Sequence, residues 1–177
     1  MSENREIEFD IKLTRKDLYK FNIYHNYHRF QTYVFTLLGI LVIGIAIYGV
    51  KTTDVPTTLL YICAGLLLVF YTPVNLYLVS KMQTKPHMPL ARTMAYKVNE
   101  EGIDVDFKEH EEGDEEVGNT ATHLNFNEIM KIKETGAAFY VYTTLKAATI
   151  FPKDQLGEKA AILKSYFDEK GPKKYGF

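Results

Sequence analysis

Phe30 to Val50 reads FQTYVFTLLGILVIGIAIYGV and Val55 to Ser80 reads VPTTLLYICAGLLLVFYTPVNLYLVS; neither contains Asp, Glu, Lys or Arg, and only Lys51, Thr52, Thr53 and Asp54 separate them. A helix rises about 1.5 Å per residue, so each stretch is long enough to cross a hydrocarbon layer of roughly 30 Å. The pair predicts a transmembrane hairpin. With 46% apolar and 24% charged residues over 177 positions, the whole-chain composition resembles that of a soluble domain, because the polar remainder averages the hairpin away. The first stretch begins too late for a signal peptide and lacks its small-residue cleavage site, so it is expected to be retained.

Basic residues set the expected orientation. Arg15, Lys16, Lys20 and Arg29 precede the first span, Lys81, Lys85, Arg92 and Lys97 follow the second, and the connector holds only Lys51. The positive-inside rule then places both termini in the cytoplasm, with two spans in the cytoplasmic membrane. Tyr27, Tyr33 and Tyr77 at one level and Tyr48 and Tyr61 at the other suit the interfacial aromatic belts. The single cysteine, Cys63, falls inside the second span, so neither a disulfide framework nor a thiolate metal site is expected.

Outside the hairpin the pattern changes to period two. Ile7, Phe9, Ile11 and Leu13 alternate with Glu8, Asp10 and Lys12, the mark of a half-buried strand. Thr14 with Asp17 three positions later forms a variant capping box for a helix from Arg15 to about Phe30. After an extended connector bearing Pro86 and Pro89, Met94, Tyr96 and Val98 alternate, Asn99 to Gly102 turns the chain, and Ile103, Val105 and Phe107 alternate again. Further strands are expected at Thr120 to Phe126, Ile129 to Thr135, Ala138 to Thr144 and Ala147 to Phe151. A closing helix over Asp154 to Glu169 gathers Leu156, Ala160, Leu163, Tyr166 and Phe167 on one face.

The expected fold is therefore an α+β membrane protein: a two-helix hairpin inserted after the first of seven antiparallel strands, which form a pleckstrin-homology-like sandwich or barrel closed by a C-terminal helix. Residues 1–29 hold the first strand and juxtamembrane helix, 30–80 the hairpin, and 81–177 the β domain, which folds together with residues 1–13. In this order of elements, Phe126-Asn127-Glu128-Ile129, Lys131-Ile132-Lys133-Glu134-Thr135, Phe139-Tyr140-Val141-Tyr142 and Ile150-Phe151-Pro152-Lys153 resemble the YcxB-like family of small bacterial membrane proteins. The resemblance implies an architecture and brings no activity with it.

Candidate functional residues fall into three groups. Lys16, Lys20, Lys81 and Lys85 flank the hairpin on its expected cytoplasmic side, where an anionic leaflet attracts each by about 1 kcal/mol. Within the second span, Pro73 removes a backbone donor, and the Asn75 amide can pair with the first span or a second copy, worth about 0.6–2 kcal/mol. Glu109, Glu111, Glu112, Asp114, Glu115 and Glu116 form a solvated loop or a docking segment for a basic partner. The chain carries 21 basic and 22 acidic side chains, a net charge of −1; setting those six carboxylates aside leaves 21 against 16, a mildly basic remainder of +5.

Histidine and catalytic signals are weak. His25 and His28 could share an ion, but no third ligand accompanies them, and packing at the interface explains them more simply. His87, His110 and His123 are scattered, and no triad, Walker loop, dinucleotide fingerprint or H-E-x-x-H motif occurs. No concentrated basic surface points to nucleic acid. The expectation is a non-enzymatic interaction or scaffold module without cofactor or metal, whose partners are the bilayer and another membrane protein or itself. The alternative is an accessory or oligomeric subunit of a transport or self-protection system.

Overall fold

The alternation near the N-terminus becomes strand β1 (Ile7–Lys12), with Ile7, Phe9 and Ile11 buried and Glu8, Asp10 and Lys12 exposed. The computed structural model describes residues 6–27, 30–108, 122–145 and 147–172. Among them the chain forms two units: Met1–Asp17 with Thr84–Phe177, and Leu18–Gln83.

Seven strands among the described residues build the first unit. They are β1, β2 (Thr93–Val98), β3 (Gly102–Phe107), β4 (Thr122–Asn125), β5 (Lys131–Glu134), β6 (Ala138–Tyr142) and β7 (Ala148–Pro152). All pair antiparallel, in a four-stranded sheet ordered β1-β2-β3-β4 and a three-stranded sheet ordered β5-β6-β7. The register sets apolar residue against apolar residue: Ile7 opposite Val98, Phe9 opposite Tyr96, Ile11 opposite Met94 and Val98 opposite Ile103. Such cross-strand pairs are the unit of sheet stability. At the β2–β3 turn the Asn99 Oδ1 accepts the backbone N–H groups of Glu101 and Gly102, both at 2.9 Å. Gly102 is required there, because a Cβ would run into the Leu124 carbonyl of β4.

The core of this unit centres on Phe151, which is fully buried. Its ring lies edge-on to Tyr96 at 5.0 Å and to Phe9 at 5.8 Å, and meets Phe167 of the C-terminal helix at 6.2 Å. One side chain thereby joins both sheets and the helix, the arrangement in which aromatic pairs add to simple area burial.

Two sequence expectations are corrected. The closing helix is not continuous: α4 (Lys153–Leu156) ends at Gly157, and α5 (Lys159–Lys170) follows. Gly157 has φ +55°, a left-handed conformation favourable only without a Cβ, and this turn lets Leu156 and Leu163 both bury. The strand expected from Ile129 begins at Lys131 instead. Phe126–Glu128 forms a tight 3-10 turn, with the Ile129 N–H bonded to the Phe126 carbonyl, so Phe126 and Ile129 bury from one turn rather than by alternation.

As the first strand in its sheet order, β1 leaves one row of backbone groups without a strand partner. Gln155 of α4 covers its end, its amide both donating to the Lys12 carbonyl and accepting the Lys12 N–H at 3.0 Å, while Lys159 reaches the Glu8 carbonyl at 2.6 Å. The C-terminal helices thus protect an edge that would otherwise recruit another strand.

The second unit is helical. Helix α1 (Arg15–Tyr27) starts as the capping box requires: Thr14 and Asp17 bond reciprocally, the Asp17 carboxylate accepting the Thr14 N–H at 3.0 Å and hydroxyl at 2.6 Å. Helices α2 (Phe30–Tyr48) and α3 (Val55–Gln83) are the two apolar stretches, the second running to Gln83 with Pro73 inside it. Asp54 caps α3 by accepting the Thr57 N–H at 3.1 Å, and that bond holds its carboxyl below the ordinary aspartate range. The α2–α3 crossing is made by glycines. A Cβ on Gly65 would lie 2.8 Å from the Gly39 carbonyl and 2.5 Å from Ile43 Cγ1, so only bare backbones fit. Gly44 has open space around it. Both helices are long and apolar enough to cross a membrane, and only 11% of each apolar window is buried.

Candidate functional site

The lysines expected at the hairpin's base are all exposed. Lys16 and Lys20 stand one turn apart on α1, Lys81 lies in the last turn of α3, and Lys85 follows in the connector. Within the helical unit a polar clasp joins α1 to the end of α3. Asn22 donates to the Ser80 hydroxyl at 3.0 Å and to the Gln83 side-chain Oε1 at 3.4 Å, and the fully buried Ser80 in turn donates to the Leu76 backbone carbonyl at 2.8 Å. Tyr19 packs edge-on against Tyr77 at 5.9 Å. Lys20 and Lys81 flank this clasp, so the two cations share one end of the hairpin unit. Asn22 and Ser80 escaped the sequence reading, since nothing local marks residues 58 positions apart as partners.

Asn75 and Pro73 lie in the second half of α3. Asn75 is exposed and hydrogen-bonds to no described residue, so its amide is not spent on the first span. It lines a groove of about 690 Å³ walled by α2, α3 and Asn26 of α1, together with Thr32, Phe35, Ala64 and Thr72. A shallower groove of about 260 Å³, walled by Phe70, Val74 and Leu78, lies alongside; Leu67, Tyr71 and Asn75 border both.

The acidic segment Glu109, Glu111, Glu112, Asp114, Glu115 and Glu116 lies outside the described residues, as do His28 and His110. His25 stacks on Phe21, ring centroids 5.7 Å apart, as the packing reading expects. His123 of β4 bonds through Nδ1 to Asp104 of β3 at 2.5 Å and through Nε2 to Asn125 at 3.2 Å; the Asp104 bond first, then Asn125, raises its pKa above the ordinary histidine value. Glu134 of β5 receives Lys153 at 2.7 Å and Lys164 of α5, and these bonds hold its carboxyl below the usual glutamate range. These are pairs that tie neighbouring elements together on the surface. Among the described residues no three His, Cys, Asp or Glu side chains gather to hold a metal.

Taken together, the described residues form a small α+β protein with two antiparallel sheets and a hairpin of two long apolar helices. Residues 99–164 match the family model of the YcxB-like proteins. That segment runs from the β2–β3 turn into α5 and leaves β1, β2 and the hairpin outside it. No curated protein and no solved structure matches the chain.

Proposed function

We propose that this chain is a membrane-anchored, non-enzymatic interaction module, with its hairpin in the cytoplasmic membrane and a pleckstrin-homology-like strand unit on the cytoplasmic side. The observation that carries the reading is the state of α2 and α3: two long helices, free of charge over Phe30–Tyr48 and from Val55 to Ser80, whose large side chains, among them Leu37, Ile40, Leu41, Leu60 and Leu67, stand exposed. Exposed apolar surface on that scale calls for lipid solvation. Two antiparallel sheets followed by a C-terminal helix support the pleckstrin-homology-like description, and the lysine and arginine bias supports the orientation.

The mechanism is localisation. A hairpin that tethers the strand unit to the bilayer raises its effective concentration for headgroups and membrane partners without strong intrinsic affinity. Lys16, Lys20, Lys81 and Lys85 are the residues proposed to meet anionic headgroups, and the acidic segment 109–116 is proposed to dock a basic partner.

The test uses the full chain in vesicles containing phosphatidylglycerol that carries a headgroup photo-crosslinker. Labelling is expected at α1 and the last turn of α3, and replacing the four lysines with Glu should reduce it several-fold. Unchanged labelling refutes the headgroup contact. Single-cysteine labelling in a Cys63→Ser background, at position 52 and at position 16, checks the topology: the first should react from outside and the second only after the membrane is opened.

A further inference from the structure

We propose that the connector at residues 85–92 is a second membrane contact: Met88 and Leu90 sit among the lipid headgroups of the bilayer that holds α3, so that the chain enters β2 from the lipid surface. The inference rests on the reading that α2 and α3 lie in lipid. Two prolines in the sequence predict an extended connector, but the backbone folds into consecutive tight turns instead. The Met88 N–H bonds to the Lys85 carbonyl at 2.9 Å, and the Ala91 and Arg92 N–H groups bond to the Met88 and Pro89 carbonyls at 2.9 and 3.2 Å. Residues 85–90 are all exposed, so this ordered turn holds Met88 and Leu90 out of the strand unit's core, 42% and 36% exposed.

Three observations select lipid as the occupant. The first is reach. At about 1.5 Å per residue the 29 residues of α3 extend about 43 Å, the thickness of a bilayer with its headgroups, so α3 ends at the bilayer surface. Met88 follows Gln83 by five residues, and even a fully extended chain of that length carries it no more than about 18 Å. The second is charge. No Asp or Glu occurs from Val55 to Asn99, whereas Lys81, Lys85, Arg92 and Lys97 do, so the stretch around the turn carries only positive charge, as an anionic leaflet requires. The third is the backbone. Pro86 and Pro89 have no N–H, and the N–H groups of Met88, Ala91 and Arg92 are already bonded within the turns, so few donors lose water when the turn enters the interface. Apolar side chains flanked by cations are the composition that settles at the boundary between headgroups and acyl chains.

The test uses the full chain in vesicles containing phosphatidylglycerol, with single cysteines in a Cys63→Ser background carrying a polarity-sensitive fluorophore. Probes at 87 and 90 should be quenched several-fold more by lipids bearing a nitroxide just below the headgroup than probes at 130 and 145. Those controls replace Met130 and Leu145, which are 54% and 79% exposed on the same unit, and should be quenched by aqueous iodide instead. Replacing both Met88 and Leu90 with Asp should cut the lipid quenching of the probe at 87 several-fold while β2 keeps its hydrogen-exchange protection, whereas Met88→Leu with Leu90→Met should preserve it. Probes at 87 and 90 as open to iodide as those at 130 and 145 overturn the proposal. So do probes shielded from both quenchers, the result if a protein covers the turn, and lipid quenching untouched by the two Asp substitutions. A probe at 41 in α2 separates the two readings: if it is quenched by iodide rather than by lipid nitroxide, the bilayer reading itself fails.

Discussion

Ile11 sits at zero exposure on β1, opposite Met94 of β2, although the whole hairpin separates the two strands along the chain. Shortening it to Ala removes buried methyl and methylene groups and leaves a cavity that β1 cannot shift to close, because β1 is pinned by Phe9 against Tyr96 and by Lys12 against Gln155. Such a truncation costs about 2–5 kcal/mol, a large share of the roughly 5–15 kcal/mol that stabilises a domain. Glu8→Ala, on the outward face of the same strand, removes only an exposed ion pair to Lys97 at 3.5 Å that solvent screens, and should leave the midpoint essentially unchanged. The assay is hydrogen exchange with mass spectrometry of the full chain in detergent across a urea series, read at β2 and β6 so that micelle protection of the hairpin does not enter. Ile11→Ala should lower the midpoint for both strands together, and deletion through Leu13 should abolish protection. A cost below about 1 kcal/mol, or strands equally protected without residues 6–13, would refute the claim that a segment ahead of the hairpin completes the strand unit.

Three further outcomes are expected. Gly65→Val should splay α2 from α3, since even its Cβ would stand 2.8 Å from the Gly39 carbonyl; overpacking of this kind costs about 1–3 kcal/mol and is read as faster proteolysis of the hairpin, while Gly44→Ala, with open space around it, should be silent. Asn22→Ala should loosen the base of the hairpin unit, raising exchange across α1 and leaving β2 unchanged, because it removes the bonds to Ser80 and Gln83. His123 should titrate above its ordinary 6.5 by nuclear magnetic resonance. Its stabilising contribution is then complete below that unfolded-state value and disappears as pH rises through the higher folded one; Asp104→Asn should bring the midpoint down, and a midpoint at or under 6.5 in the native protein contradicts the bond to Asp104.

Much of the architecture was legible because its signals are local. Chain length without charge is measured against a fixed bilayer thickness, and alternation of period two marks a strand with one buried face wherever it occurs. On those grounds the two apolar helices, the seven strands and the Thr14–Asp17 cap could be read from neighbours a few residues apart. The break at Gly157 and the 3-10 turn at Phe126–Glu128 could not, because glycine and short apolar spacings are compatible with several backbones until packing selects one.

What the amino-acid order determined by itself is thus the inventory of elements and which residues must leave water. Tertiary structure alone decided the partners: Gly39 with Gly65, Asn22 with Ser80, Gln155 with the edge of β1, and Phe151 of β7 with rings from the four-stranded sheet and α5. It also decided that the Asn75 amide is left over at the surface of α3. The physical reason is that burial and helix formation depend on the identity and spacing of nearby residues, whereas close approach and hydrogen bonding depend on distances between segments far apart in the chain, which exist only once it has folded.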